Sequence, residues 1–216
     1  TLPHWTGPAF IPLFLLAGVY WASYSRKFIP VILQFAMGFM LVLMVGYISL
    51  VKFYPQQLGS QKLENLGEYN PINDVTGWVY LSEEFKKIAL KDEAEGKMSK
   101  NAPLVVHKWF PAGHLLFYTA PVCNKRVVAI GALEDVHKFA WLNQSTEVLV
   151  LGEDAYCIVP SSLPANPINL YGAYFTSIEK PDTIAYRTKG VLLRNFYVYR
   201  LKNCKLLPSP ILEIKK

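Results

Sequence analysis

Between Phe28 and Val51 the chain runs for 24 residues without a charged side chain (FIPVILQFAMGFMLVLMVGYISLV). A helix needs about 20 predominantly apolar residues to cross a hydrocarbon core of about 30 Å, so this segment predicts a membrane-spanning helix. Upstream, Leu2 to Ser25 also lacks Lys, Arg, Asp and Glu, and its apolar centre Ala9 to Ala22 (AFIPLFLLAGVYWA) lies near the lower length limit for a span. A signal peptide would carry a basic start and a small-residue cleavage site. Here the basic pair follows the apolar run and a second apolar run comes at once, so residues 1–51 read as a hairpin of two transmembrane helices.

The link between the two runs, Ser23 to Lys27, holds Arg26 and Lys27, the only charged residues before Lys52. Positively charged loops stay on the cytoplasmic side, which turns both outer ends of the hairpin outward. Trp5 and Tyr54 then fall at the outer interface and Trp21 and Tyr24 at the inner one, as amphipathic rings do. The tail from residue 52 onward is expected outside an inner (cytoplasmic) membrane, in the periplasm or its equivalent.

Composition follows from this division. The chain is 52% hydrophobic and 18% charged, against about 25% charged for an ordinary soluble domain. Its net charge of +6 does not mark a polyanion site, because beyond residue 51 the 20 basic residues are interspersed with 16 acidic ones. Nucleic acid is therefore not an expected partner. The sequence opens Thr-Leu-Pro-His-Trp without an initiator Met, and we expect it to be part of a longer protein.

Residues 52–76 are polar and rich in turn formers, and read as a linker. Asp74 or Thr76 is placed to cap a helix from about Gly77 to Gly96, with Trp78, Leu81, Phe85, Ile88 and Ala89 along one face. Pro103 to His107 reads as a strand, Ala112 to Thr119 as a helix and Arg126 to Ile130 as a second strand; this alternation favours a parallel sheet. A helix over Leu133 to Leu142 and a buried strand over Ala155 to Val159 follow. Tyr174 to Glu179, Thr183 to Arg187 and Leu192 to Leu201 then read as antiparallel strands turned at Pro181-Asp182 and Lys189-Gly190. The expected fold class is α/β: two N-terminal transmembrane helices, then a small periplasmic α/β domain (77–216) with a parallel sheet and an antiparallel C-terminal meander.

The usual chemical signatures are missing. There is no GxGxxG or GxxxxGK[ST] pattern to hold a nucleotide. His4, His107, His114 and His137 have no metal-ligand spacing, and neither metal nor cofactor is expected. Ser161-Ser162 lacks a nucleophile elbow and reads as a loop. Of the three cysteines, Cys157 reads as a small buried hydrophobe, while a Cys123 to Cys204 disulfide is open but unsupported by local spacing. The acids sit in charge-mixed stretches such as Glu83-Glu84-Phe85-Lys86-Lys87, the pattern of a solvated helix face.

Several segments taken in order carry a resemblance. They are Leu2-Pro3-His4-Trp5-Thr6-Gly7-Pro8-Ala9-Phe10, Asn73-Asp74-Val75-Thr76-Gly77-Trp78 followed by Leu81, and Lys108-Trp109-Phe110-Pro111-Ala112-Gly113-His114-Leu115-Leu116-Phe117-Tyr118. His137-Lys138-Phe139-Ala140-Trp141 and Gly152-Glu153-Asp154-Ala155 complete the set, which spans residues 2 to about 160. Together they resemble the C-terminal portion of bacterial protein-mannosyltransferase-like (GT-C) membrane glycosyltransferases. The resemblance implies transfer of a sugar, with inversion, from a polyprenyl-phosphate carrier to a protein, lipid or glycan acceptor on the outer side of the membrane. It places the catalytic acid of such enzymes in an N-terminal loop that this sequence does not contain, so no catalytic residue is assigned and the chain alone is expected to be inactive. His4 and Trp5 are expected at the carrier phosphate and sugar, and Lys108, His114 and Tyr118 on an acceptor-facing surface; membrane lipid, donor and acceptor are the expected partners. The alternative is a noncatalytic, membrane-anchored module that binds a glycan or a partner protein.

Overall fold

A computed structural model describes residues 7–23, 30–53, 59–145 and 149–212. The chain forms two compact units, Thr1–Lys52 and Phe53–Lys216.

In the first unit, α1 (Gly7–Ala22) and α2 (Val31–Phe53) are both apolar helices. Val31–Leu50 is 20 residues long and apolar enough to cross a membrane, and its large side chains, Phe35 and Ile32 among them, are solvent-exposed. With 16 residues at about 1.5 Å rise each, α1 spans only about 24 Å, and it carries Pro12 inside. Among the described residues, one helix rather than two therefore meets the length needed for a span. Residues 24–27 of the basic link, with Tyr24, and the expected interfacial residues Trp5 and Tyr54 lie outside the described residues.

The second unit is a mixed α/β domain. Part of the stretch read as linker is folded: a 3-10 turn (Leu63–Asn65) and α3 (Ile72–Val75) bury Leu66, Asn70, Ile72 and Asn73. Then α4 (Trp78–Ala94) follows the expected helix closely and buries Trp78, Leu81, Phe85 and Ala89 on one face. Its start differs from expectation, since neither Asp74 nor Thr76 caps it. The N-cap is Gly77 at φ +80°, and a Cβ there would lie 2.8 Å from the Tyr186 ring, so both the left-handed backbone and the close ring require glycine.

Strand β1 (Leu104–Val106) leads into one continuous helical run: α5 (Trp109–His114), a π-helical turn (Leu115–Thr119) and α6 (Ala120–Cys123). Strand β2 (Val127–Ala129) is followed by α7 (Leu133–Val136) and α8 (Phe139–Ser145). The single helix expected over Leu133 to Leu142 is broken at His137, whose φ is +49°. Strand β3 (Ala155–Pro160) is wholly buried; α9 (Pro167–Tyr171), absent from the sequence reading, precedes β4 (Phe175–Ile178), β5 (Asp182–Thr188) and β6 (Val191–Cys204). Asn166 caps α9, its Oδ1 accepting from the Ile168 N–H.

The sheet order is β2-β1-β3-β6-β4, with β5 also on β6. β1 pairs parallel with β2 and β3, and β6 pairs antiparallel with β3, β4 and β5, so the sheet is mixed rather than parallel. The expected meander is also corrected. Both β4 and β5 run antiparallel to β6, β4 against residues 201–204 and β5 against residues 191–198. Pro181 therefore marks a break between two collinear strands, not a reversal, because Pro offers no N–H to the ladder. Lys189-Gly190 is a true two-residue hairpin turn with both φ values positive, at +50° and +82°.

Alternate residues of the sheet feed two cores. Leu104, Val106, Tyr156, Ile158, Phe196 and Val198 meet α4 and the α5–α6 run, whereas Val105, Val128, Cys157, Val159 and Leu201 meet Tyr171 and Phe175. The outer edge of β2 is closed by Asn143, whose amide accepts from the Ala129 N–H at 3.2 Å and donates to the Ala129 C=O at 2.7 Å, as a strand would. All three cysteines are free thiols, and burial pushes the Cys157 thiol up to about 12.

Candidate functional site

In a sheet with parallel strands, ligands gather at the carboxyl ends, where neighbouring connections diverge. From β1 the chain turns toward β2, while from β3 it turns the other way, toward β4 beyond β6. At that end lies an open cleft of about 400 Å³ lined by Asp74, Lys108, Trp109, Phe110, Pro111, Glu134, Asp135 and Leu163. Lys108 to Pro111 follow β1, Glu134 and Asp135 follow β2, Leu163 follows β3, and Asp74 comes from α3.

No ion pair within 4.0 Å involves Asp74, Lys108, Glu134 or Asp135 among the described residues. All four residues are exposed. Elsewhere in the domain several part-buried charged groups are paired. Arg126 Nη2 donates to both Glu153 carboxylate oxygens, at 2.5 and 2.6 Å, and the buried Lys125 ammonium meets Glu93 at 2.9 Å and the Lys100 C=O at 2.7 Å.

Behind the cleft stands an aromatic-cationic stack. The His114 imidazole lies on the Trp78 indole, with centroids 4.2 Å apart and planes 1° from parallel. The Arg194 guanidinium, on a residue only 1% exposed, sits 4.6 Å from the Trp78 ring and 4.4 Å from the Phe196 ring. Arg194 Nη2 donates to the Thr76 C=O, and its Nε has no partner. Desolvation brings the guanidinium down to about 9. Burial raises the Asp74 carboxyl, and the positive charge of Arg194 pulls it back.

Desolvation first, and then Arg194, lowers His114 from 6.5 to about 4, so the ring is neutral at physiological pH. Unfolding restores an ordinary imidazole, which binds a proton that the folded state refuses. Stability is accordingly full above about pH 6.5 and falls as pH drops toward 4. His107, lowered chiefly by burial, acts in the same direction. The acid-induced drop in the denaturant midpoint should shrink in His114→Phe, which keeps a ring on Trp78 and removes the titration; an unchanged pH profile would refute this assignment.

Of the residues expected in binding roles, Lys108 is exposed and lines the cleft. His114 and Tyr118 lie behind it as half-buried rings, parallel to within 10° and 6.0 Å apart. His4 and Trp5 lie outside the described residues. Trp109, Phe110, Asp74, Glu134, Asp135 and Leu163 were not named as site residues from sequence. The available signal was positional: three of these segments directly follow parallel strands.

A larger cavity of about 550 Å³ lies beside β2 and α8, lined by Ala129 to Leu133, Ala140, Tyr174 and the segment Leu207 to Leu212. It contains no charged residue and is bounded by the chain's own C-terminal stretch, so it offers fewer orienting groups than the cleft. Compared with known proteins, the chain matches no family model, no curated protein and no solved structure.

Proposed function

We propose that this chain is the C-terminal part of a membrane glycosyltransferase that moves a sugar from a polyprenyl-phosphate carrier to an acceptor outside the cytoplasmic membrane. In this reading α1 and α2 both serve as spans, His4 and Trp5 lie at the donor's phosphate and sugar, and the α/β domain is extracytoplasmic.

The observation that carries the proposal is convergence. The segments that resemble the mannosyltransferase-like family are separated by tens of residues, yet three of them meet at one place. Asp74 from the first soluble segment lines the cleft with Lys108, Trp109 and Phe110 from the second. His137, which opens the third, packs 5.6 Å from Trp109. Trp78 of the first segment and His114 of the second form the stack behind them. The remaining soluble segment, Gly152 to Ala155, lies at the opposite end of the parallel strands, where Glu153 holds Arg126. That contact is structural.

The test is transfer itself. Membranes carrying the chain together with sequence encoded upstream of Thr1 should move labelled sugar from a polyprenyl-phosphate sugar to an acceptor. His4→Ala should raise the donor KM about tenfold with the acceptor KM unchanged, the loss expected for one hydrogen bond to a charged group. Unchanged donor kinetics would remove His4 from the donor site. Absence of transfer from any polyprenyl-phosphate sugar would overturn the transferase reading in favour of a noncatalytic, membrane-anchored binding module, to which a ligand cleft without a catalytic set is also suited.

A further inference from the structure

We propose that the cleft at the carboxyl ends of β1, β2 and β3 binds one pyranose unit of an uncharged or amine-bearing glycan, with Trp109 as the stacking platform. As the acceptor's docking site, this deepens the transferase reading; as a binding site, it stands without it.

The volume of about 400 Å³ falls in the range of about 300–1,000 Å³ usual for small-ligand sites. The side chains decide the ligand class. A pyranose has an apolar C–H face, which needs a flat aromatic surface, and a ring of hydroxyls, which need acceptors and donors arranged around that surface. Trp109 supplies the surface: it is 37% exposed, and Phe110 and His137 brace its ring at 5.7 and 5.6 Å. Asp74, Glu134 and Asp135 supply carboxylates that accept from hydroxyls, and Lys108 donates to one; none of the four is committed to an ion pair with another described residue.

Charge narrows the class further. Three lining carboxylates against the Lys108 ammonium, with the Arg194 guanidinium buried behind Asp74, still leave the cleft net negative, which disfavours sugar phosphates and uronic acids. An amine-bearing sugar gains twice, from the carboxylates and from the Trp109 ring. Metal-bridged sugar binding is not required by this geometry, and no group of His, Cys, Asp and Glu suited to a metal occurs among the described residues.

Saturation-transfer NMR on the full chain in detergent micelles tests the assignment with methyl glycosides of three kinds: neutral hexosides, 2-amino-2-deoxyhexosides and hexuronides. The neutral and amino glycosides should receive saturation at their ring C–H protons and the hexuronides should not. Trp109→Ala and the double variant Glu134→Gln/Asp135→Asn should each weaken binding about tenfold or more, the loss of one stacking or two charge-assisted contacts. Circular dichroism should not change, because Glu134 and Asp135 are exposed and Trp109, part-buried on the cleft wall, belongs to neither hydrophobic core. Lack of saturation in every neutral and amino glycoside, preference for hexuronides, or indifference to both variants would overturn the proposal. No donor enters this assay: glycan binding without transfer defeats only the transferase reading, and transfer without binding here defeats only the site.

Discussion

Asp92→Ala should destabilise the α/β domain by about 3–5 kcal/mol, the cost of removing one partner from a buried ion pair. Asp92 is 1% exposed on the inner face of α4, where it accepts from Arg200 Nε at 2.7 Å, Arg200 Nη2 at 2.8 Å and the Tyr156 hydroxyl at 3.0 Å. The substitution strands the Arg200 guanidinium and the phenol together, at the point where α4 crosses β3 and β6. Asp182 cannot replace the lost carboxylate. It also meets Arg200, at 2.5 Å, but its side chain is half exposed, and water screens such pairs to about 0–1 kcal/mol. Asp182→Ala should therefore cost little, although it touches the same arginine. Tyr156→Phe should cost about 1 kcal/mol, one hydrogen bond. Urea denaturation of the three variants checks the ranking, with the midpoint separated from the slope. Equal losses for Asp92→Ala and Asp182→Ala would refute it.

Phe196→Ala is the second large effect, again about 3–5 kcal/mol for removing a fully buried aromatic side chain. Phe196 lies mid-strand in β6, between β3 and β5, with its ring 5.5 Å from Trp78 and 4.4 Å from the Arg194 guanidinium. Its loss opens a cavity beside a charge already short of partners. The consequence should extend beyond stability: Trp78 carries His114, and its neighbour Thr76 accepts from Arg194, so the wall behind the cleft loosens as well. Denaturation should show the loss, and Glu134→Gln, a change at an exposed side chain, should not. A Phe196→Ala protein as stable as the parent would mean that the Arg194 stack is held from elsewhere.

Much of the local structure was legible. The run of 24 uncharged residues announced α2, the three- and four-residue spacing of Trp78, Leu81, Phe85 and Ala89 announced α4, and β-branched runs announced β1, β2 and β3. Each of these signals is a pattern within one segment, set by burial of one face. Errors arose where a segment's neighbour decides its form. Pro181 read as a reversal because a proline between two strand-like runs usually turns the chain; only pairing of both β4 and β5 along the 14-residue β6 made it a break within one edge. His137 interrupted a well-patterned helix by adopting φ +49° beside Trp109, a tertiary contact without a local signature.

The candidate site was legible only at Lys108. Aromatic and acidic residues at 74, 109, 134 and 135 are unremarkable in their own surroundings, as charge-mixed helix ends and loops generally are.

By itself the sequence determined the division into an apolar helical part and a polar α/β part, and the strand-helix-strand order that forms the parallel half of the sheet. Both follow from transfer of apolar side chains out of water, which depends on composition and period alone. The tertiary structure decided that β1 lies between β2 and β3, that three carboxylates and one lysine share a cleft, and that Arg194 is buried against Trp78 and Phe196. Those outcomes depend on which strands exchange backbone hydrogen bonds, and residues more than a hundred positions apart, such as Thr76 and Arg194, become neighbours only when that exchange is complete.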